Sequence, residues 1–381
     1  MKFRTRLLAA AFALSTACPV MAQQKPVTVV GLVELSGAGA TAGTNFNNGV
    51  KLAVKEINAA GGMLGRKIEY TANDTQSNPG VAKALAQKAV DDGAYVVMGP
   101  VFSGSFIVSM AETQRAGIPN FTGGEAANIT EKGNPYVFRT SFTQSTAMPK
   151  LAKYINDTVK AKSVALLWVN NDFGKGGRDM MTKALEAQGI KVAADISTDP
   201  GQVDFSGAVL KAKQSGADAL FVYTNEEESA RALRELRKQG FDKPIIGETT
   251  LTGQKVIELA GDAANGAVAH VGLTADAPQA TIKAFDQKFQ AEYKYKSDHN
   301  GMKGYSGMYV VKAITEKVGK YDPKAFAAAL HGAKISAKDH PGVLLDVEFD
   351  KNGDLDRESF LVKVENGKQV VTATLPPASA K

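Results

Sequence analysis

Val27-Thr28-Val29-Val30-Gly31-Leu32-Val33, running into Glu34-Leu35-Ser36-Gly37-Ala38-Gly39-Ala40-Thr41-Ala42-Gly43, decides how the rest of the chain is read. The first seven residues are uncharged, mostly apolar or β-branched and few, the pattern of a strand buried on both faces. A glycine-rich loop follows, and then 45–60, where Val50, Ala53, Val54 and Ile57 fall on one face of a helix that Asn45 can cap. Strand, tight loop and helix make the first step of a βα series.

The step repeats. A second strand is expected at 67–72, and Asn78-Pro79 opens a helix with proline in the first turn, where its missing N–H costs little. A third strand is expected at 95–98, a helix from Ser103 onward and a fourth strand at 118–121. The rhythm restarts at Ser163: strands at 164–169, 192–196, 219–223 and 244–246 alternate with helices at 173–188, 204–215 and 227–239. Parallel strands need crossover helices, so two such series predict an α/β protein of two doubly wound parallel-sheet lobes. Beyond them, 280–293 and 302–318 read as helices, and 344–349 and 360–364 as strands. Asp350-Lys351-Asn352-Gly353-Asp354 joins those strands and looks a little like a calcium loop. Leu355 and Leu361 stand at the sixth and twelfth positions, where an EF-hand needs glycine and glutamate, so a hairpin turn is expected.

The N-terminus reads as a targeting segment. Lys2, Arg4 and Arg6 form a basic head, 7–16 is apolar but short of the roughly 20 residues a spanning helix needs, and Val20-Met21-Ala22 supplies small residues for cleavage. A signal peptide over 1–22 is expected, and with it a periplasmic protein; Ser15 is a poor residue for a lipoprotein site at Cys18. Cys18, the only cysteine, leaves with the signal, so the remaining 359 of 381 residues have no disulfide. The net charge of +6 falls to +3 with the three basic signal residues gone. No basic run points to nucleic acid, and no later segment is long and apolar enough to cross a membrane. The chain has no short internal repeat and no low-complexity stretch.

Ligands of open parallel sheets bind beyond the carboxyl ends of the strands. The first exit, 35–43, is neither GxGxxG nor a Walker A, having no lysine before the helix. At the third, Gly99-Pro100-Val101-Phe102-Ser103-Gly104-Ser105 places small hydroxyl residues where a helix begins. The free N–H groups and dipole there favour an anion such as a carboxylate, while Ser103 could equally cap its own helix. At the fourth, Thr122-Gly123-Gly124-Glu125-Ala126-Ala127 combines glycines with a charge. In the second half the exits are 170–174, 224–228 and 247–250. Glu226, Glu227 and Glu228 read mostly as an acidic first turn suited to the helix dipole, and Phe173 as a core aromatic. Glu248 directly follows the apolar Ile245-Ile246-Gly247 and has no such account. Enzyme readings find no support: His270, His299, His331 and His340 have no metal-ligand spacing, and HExxH, a cysteine cluster and GxSxG are all absent. No cofactor and no metal is expected.

Ile57-Asn58-Ala59-Ala60-Gly61-Gly62-Met63-Leu64-Gly65-Arg66-Lys67-Ile68-Glu69 with Asn73-Asp74-Thr75 resembles the hallmark stretch of the branched-chain-amino-acid-type periplasmic binding proteins, the solute receptors of ABC importers. Val30-Gly31-Leu32 with Ser36-Gly37, Gly99-Pro100 with Ser103, Phe138-Arg139-Thr140, Asp172-Phe173-Gly174-Lys175-Gly176, and Phe349-Asp350 with Asn352-Gly353-Asp354 extend the likeness in order along the chain. The resemblance implies a type I periplasmic-binding fold, with lobe 1 at 23–140 plus 273–345, lobe 2 at 141–272 plus 346–376 and a tail at 377–381. Three hinge crossings join the lobes, one at Arg139-Thr140-Ser141, and the lobes close on the solute by hinge motion.

The resemblance also implies a site. Ser103, beside Gly104 and Ser105, matches the serine that holds the ligand carboxylate, and Gly124 a backbone carbonyl that accepts from the ligand amine. Phe173 stands where the family often has a pocket tyrosine. Glu227 falls near a second-lobe contact, and Glu248 or Thr249 near the acid that pairs with the amine. Ala126 replaces a hydroxyl residue that usually helps bind the carboxylate, beside an unusual Glu125, and Ala42 replaces a frequent aromatic, so a wider or differently charged pocket is expected. The expected function is that of a monomeric receptor delivering an amino acid or small carboxylate to an ABC permease. The alternatives are a receptor for aromatic or organic acids or for amides such as urea, and a sensory domain. The last is expected to continue into a transmembrane helix, and the sequence stops at Lys381 without one.

Overall fold

The computed structural model describes residues 25–378; the signal expected at 1–22 with Cys18, and 379–381 of the expected tail, lie outside them. The first lobe opens with β1 (Val27–Val33), α1 (Ala40–Ala59), β2 (Ile68–Asp74), α2 (Pro79–Asp91), β3 (Val96–Met98), α3 (Ser103–Ala116), β4 (Asn120–Thr122), α4 (Asn128–Glu131) and β5 (Val137–Arg139). Its sheet is parallel throughout, in the order β2-β1-β3-β4-β5. β1 is buried on both faces, as its composition demands. Val29 and Val33 meet Phe46, Val50 and Ile57 of α1, while Val30 and Leu32 meet Ala86 and Ala89 of α2. Asn78 caps α2, accepting from Gly80 N at 2.8 Å and Val81 N at 3.2 Å.

The second lobe repeats the pattern with α5 (Gln144–Tyr154), β6 (Ser163–Val169), α6 (Asp172–Ala187), β7 (Lys191–Thr198), α7 (Ser206–Gln214), β8 (Ala219–Tyr223), α8 (Glu226–Lys238), β9 (Ile245–Glu248), α9 (Gln254–Ala260) and β10 (Val268–Val271). Its parallel strands run β7-β6-β8-β9-β10, the same order as in the first lobe. The chain then returns to the first lobe for α10 (Ala280–Tyr293), α11 (His299–Val318), α12 (Pro323–Leu330), β11 (Lys334–Ile335), β12 (Val347–Phe349) and β13 (Leu355–Asp356). It ends in the second, where β14 (Ser359–Glu365) pairs antiparallel with β10 and β15 (Lys368–Leu375) with β14. Both lobes are therefore doubly wound α/β sheets, as the βα rhythm predicted.

Two expectations are corrected. The helix expected at 45–60 begins at Ala40, and Asn45 sits buried within it, donating to Thr41 O at 3.1 Å rather than capping. The reason is packing: a Cβ at Gly43 would lie 2.1 Å from Glu34 O, so that glycine lets the first helical turn rest on the end of β1. The last crossing also differs from the expected boundary at 345–346. β12 pairs with β11 and β13, and Val347, Phe349 and Leu355 bury in the first lobe's core. The 350–354 turn closes the β12–β13 hairpin, with Asp350 Oδ1 accepting from Asn352 N at 2.7 Å and Asp354 N at 3.0 Å. The chain crosses only after Asp356. There Arg357, buried, donates to Thr140 O at 3.3 Å and lies over the Phe142 ring, tying the third crossing to the first.

Close backbone contact sets the position of α11. A Cβ at Gly49 of α1 would meet Gly301 O at 1.9 Å, and one at Gly304 would meet Phe46 O at 2.1 Å. Only glycine lets the two helices approach so far, and that approach carries the first turns of α11 to the rim between the lobes.

Candidate functional site

Each sheet changes winding direction between two neighbouring strands, β1 and β3 in one lobe and β6 and β8 in the other, and the carboxyl ends of these pairs face each other. Between them lies a cavity of about 260 Å³. Contacts shut it: Thr41 Oγ1 donates to Glu227 Oε1 at 2.5 Å, Asn300 Nδ2 to Glu226 Oε1 at 3.4 Å, and Tyr223 OH to Glu125 Oε2 at 3.3 Å. Each joins one lobe to the other, so the structure is of the closed form.

The first-lobe wall begins at the β3–α3 loop. Glu34, buried at the end of β1, accepts from Val101 N at 3.2 Å and Phe102 N at 3.0 Å, and burial pushes its carboxyl up to about 7. The first intrahelical bond of α3 is Phe106 N to Phe102 O, so the amides of Ser103, Gly104 and Ser105 precede it. Ser103 is not a helix cap: Phe102 holds that position, and Ser103 Oγ accepts from Glu125 N at 3.3 Å and Ala126 N at 3.2 Å. With its oxygen committed to those amides, the hydroxyl keeps a proton to donate. Ser105 Oγ is buried with no hydrogen-bond partner among the described residues.

Ser103, Gly104, Ser105, Gly124 and Glu125 all line the cavity; Ala126 does not, and serves instead through its amide. The role implied for the Gly124 carbonyl is corrected, because it already accepts from Arg139 Nη1 at 2.9 Å and Ser141 Oγ at 3.0 Å. Arg139 is wholly buried. It also holds Ala126 O at 2.8 Å and pairs with Asp354, so it pins the whole 123–127 loop.

The other part of this wall was not anticipated. Asp298 caps α11 through Asn300 N at 2.8 Å and Gly301 N at 3.1 Å, and His299, Asn300 and Lys303 then line the cavity. Lys303 Nζ lies 2.8 Å from Glu125 Oε1, both side chains being buried. No strand exit flags these residues. The available signal was a lone lysine among Gly301, Gly304, Ser306 and Gly307, small residues on a helix that must pack closely.

On the second lobe, Phe173 lines the cavity and stacks on Tyr223 at 4.1 Å, so it is a pocket wall as well as a packed aromatic. The three glutamates of α8 separate. Glu228 closes a capping box with Asn225, as an acidic first turn should. Glu227 stays at the rim with Thr41, outside the lining. Glu226, in contrast, lines the cavity and is buried; burial, with Asp298 and Glu227 nearby, pushes its carboxyl up to about 8. Glu248 and Thr249 do not line the cavity. Glu248 lies behind it, 3.1 Å from His270 Nδ1 and accepting from Thr249 N at 2.5 Å, and burial raises its carboxyl. Thr250 lines the cavity with its Oγ1 buried and unpartnered among the described residues.

Two lobes of one topology that shut on a small cavity define a protein that engulfs a solute. The sequence model of the periplasmic binding protein family matches residues 26–369, and the chain belongs to that family, in its branched-chain-amino-acid-binding group. These are exported solute receptors of ABC importers, binding proteins rather than enzymes. The chain is 28% identical to the leucine-, isoleucine-, valine-, threonine- and alanine-binding protein of Pseudomonas aeruginosa, over 86% of this chain and 87% of that one. It is 30% identical to the Leu/Ile/Val-binding protein BraC3 of Rhizobium johnstonii, over 90% and 93%. Among solved structures, the branched-chain amino acid transporter substrate-binding protein LivJ of Streptococcus pneumoniae, in complex with isoleucine, superposes with a TM-score of 0.83 at 25% identity. The match covers 92% of this chain and 99% of that one. No helix among the described residues is long and apolar enough to cross a membrane.

Proposed function

We propose that the solute is an α-amino acid, held as a zwitterion. The observation that carries this reading is Glu226: a buried carboxylate that lines the cavity, takes only the Asn300 amide as side-chain partner, and has no cation paired with it among the described residues. A buried carboxylate without a counter-charge is costly, and an ammonium group supplies one. Across the cleft the α3 amides, the Ser103 hydroxyl, Ser105 Oγ and Lys303 are all donors suited to a carboxylate. Val101, Phe102 and Phe173 leave an apolar part of the cavity for a side chain. The relatives named for leucine, isoleucine and valine support the same class. Glu226 thereby takes the part that the resemblance assigned to Glu248. The protein acts as a monomer in the periplasm after cleavage behind Ala22, hands its solute to an ABC permease and takes no nucleic acid.

A thermal-shift screen over amino acids and their deaminated analogues identifies the solute, since a ligand at 100 times its Kd adds about 2.7 kcal/mol to the folded state. Calorimetry on Glu226→Gln then tests the clamp. A hydrogen bond to a charged group contributes about 1.5–3 kcal/mol, so the variant should lose roughly tenfold to a hundredfold for the amino acid and little for the acid lacking the amine. Equal affinity of the unaltered protein for both compounds would sink this reading and point to organic acids. Mass spectrometry of the exported protein should find Gln23 at its N-terminus.

A further inference from the structure

We propose that His299 of the first lobe and Thr250 of the second form a subsite for the solute's side chain, and that this side chain is neutral and carries a hydroxyl or a carboxamide. The inference rests on the amino-acid reading and deepens it by naming the class of amino acid.

Both residues reach the cavity for local reasons. A Cβ at Gly247 would lie 2.6 Å from Leu251 Cδ2, so glycine lets the chain fold back tightly over the end of β9. The resulting turn, where Glu248 accepts from Thr249 N at 2.5 Å, sets Thr250 in the second-lobe wall. His299 is the first residue of α11, directly after its cap Asp298. Besides the cavity, His299 lines a small void next to it together with Thr249 and Thr252. The start of α11 and the turn bearing Thr250 therefore meet across the cleft.

Neither side chain is satisfied by the protein. Thr250 is 8% exposed, and its Oγ1 is buried without a partner among the described residues. His299 is 5% exposed, and among the described residues its ring takes part in no hydrogen bond, ion pair or ring contact. Buried polar groups are hydrogen-bonded in native proteins, so these two draw their partners from what fills the cavity. Burial, then the Lys303 charge, hold His299 well below the ordinary histidine value. Its ring is neutral, with one nitrogen donating and the other accepting, and the threonine hydroxyl likewise does both. A solute group that itself donates and accepts satisfies such a pair, whereas an aliphatic side chain leaves both unpaired.

Charge balance excludes an ionised side chain. Of the charged residues that line the cavity, Lys303 already serves Glu125 and the solute carboxylate, Glu226 takes the ammonium, and Asp172 is exposed. A second carboxylate would find no free cation in that lining and a second ammonium no buried acid, each leaving a costly uncompensated charge. Val101, Phe102 and Phe173 remain for the apolar stem.

The test is calorimetry with shape-matched pairs: L-threonine and L-valine, L-asparagine and L-leucine, L-glutamine and L-homoleucine. In at least one pair the unaltered protein should bind the polar member tighter by roughly tenfold to a hundredfold, since its apolar match strands a buried donor or acceptor. Thr250→Val, which keeps the shape, should close most of that gap. His299→Leu should do so from the other lobe, and Thr250→Val decides alone if that variant does not fold. Equal affinities within every pair would overturn the proposal, as would L-glutamate or L-lysine bound tighter than every polar member. A loss in Thr250→Val that is equal for both members would also overturn it, because the threonine then serves the ammonium or carboxylate they share. Should no amino acid bind, the same pairs without the amine decide. A polar preference among those keeps the subsite and sinks only the amino-acid reading, while no preference or no binding sinks both.

Discussion

The two lobes share a strand order and differ in what they bring to its switch point. The first presents donors, the α3 amides, Ser103, Ser105 and Lys303, with one acid, Glu125, already paired to that lysine, whereas the second presents acids, Glu226 at the cavity and Glu248 behind it. They differ in assembly too. The first-lobe wall is built from two distant stretches of chain, the strand exits of 25–139 and the start of α11, while the second-lobe wall comes from one βα series. The shared topology explains why the exits face each other, and the side chains explain why the faces are unlike. A zwitterionic solute suits that asymmetry better than a symmetric one, because each end finds the opposite charge on a different lobe and binding then rewards closure.

The comparison breaks most visibly at Arg139. Its guanidinium pins the Gly124 and Ala126 carbonyls and pairs with Asp354. Removing one partner of a buried pair costs about 3–5 kcal/mol, so Arg139→Met should lower the denaturant midpoint strongly. A midpoint like that of the unaltered protein would show the donor wall to be held by other contacts. A smaller effect is expected at Ser103, where alanine removes one hydrogen bond to a charged group. Calorimetry should read a loss of roughly tenfold to a hundredfold for the amino acid, about 1.5–3 kcal/mol. Unchanged affinity would take the carboxylate away from the first lobe. The smallest effect should come from the rim, where Thr41 meets Glu227 at 2.5 Å. Thr41→Val should raise the dissociation rate about two- to tenfold through loss of a hydrogen bond of about 0.5–1.5 kcal/mol, with the association rate little changed. A change confined to association would mean that the contact guides entry instead of holding the closed form.

Much of this was legible beforehand, and for a physical reason. Val27–Val33, Ala219–Tyr223 and Ala280–Tyr293 fall where composition and periodicity put them, because burial on both faces of a strand or one face of a helix constrains every residue in the run. The crossing at 357–358 was not legible, because β11 and β13 are two residues each and too short to leave a pattern. Ser103, Gly104, Ser105, Glu125 and Phe173 were found because a strand exit is a local feature. Lys303 and Asn300 were missed because their helix reaches the cleft through its contact with α1, more than 250 residues earlier in the chain.

The sequence by itself determined two α/β lobes of like winding, the helix N-terminus at Ser103 and a charge at each of several strand exits. Only the tertiary structure decided which charges meet. Glu226 follows β8 and Glu248 ends β9 of the same sheet, and the sequence pattern favoured Glu248, since Glu226 had the account of an acidic first turn. Yet the first turn of α8 aims one at the cavity, while the register of β9 with β10 sets the other against His270. That choice depends on distances between groups far apart in the chain, and local pattern carries no information about them.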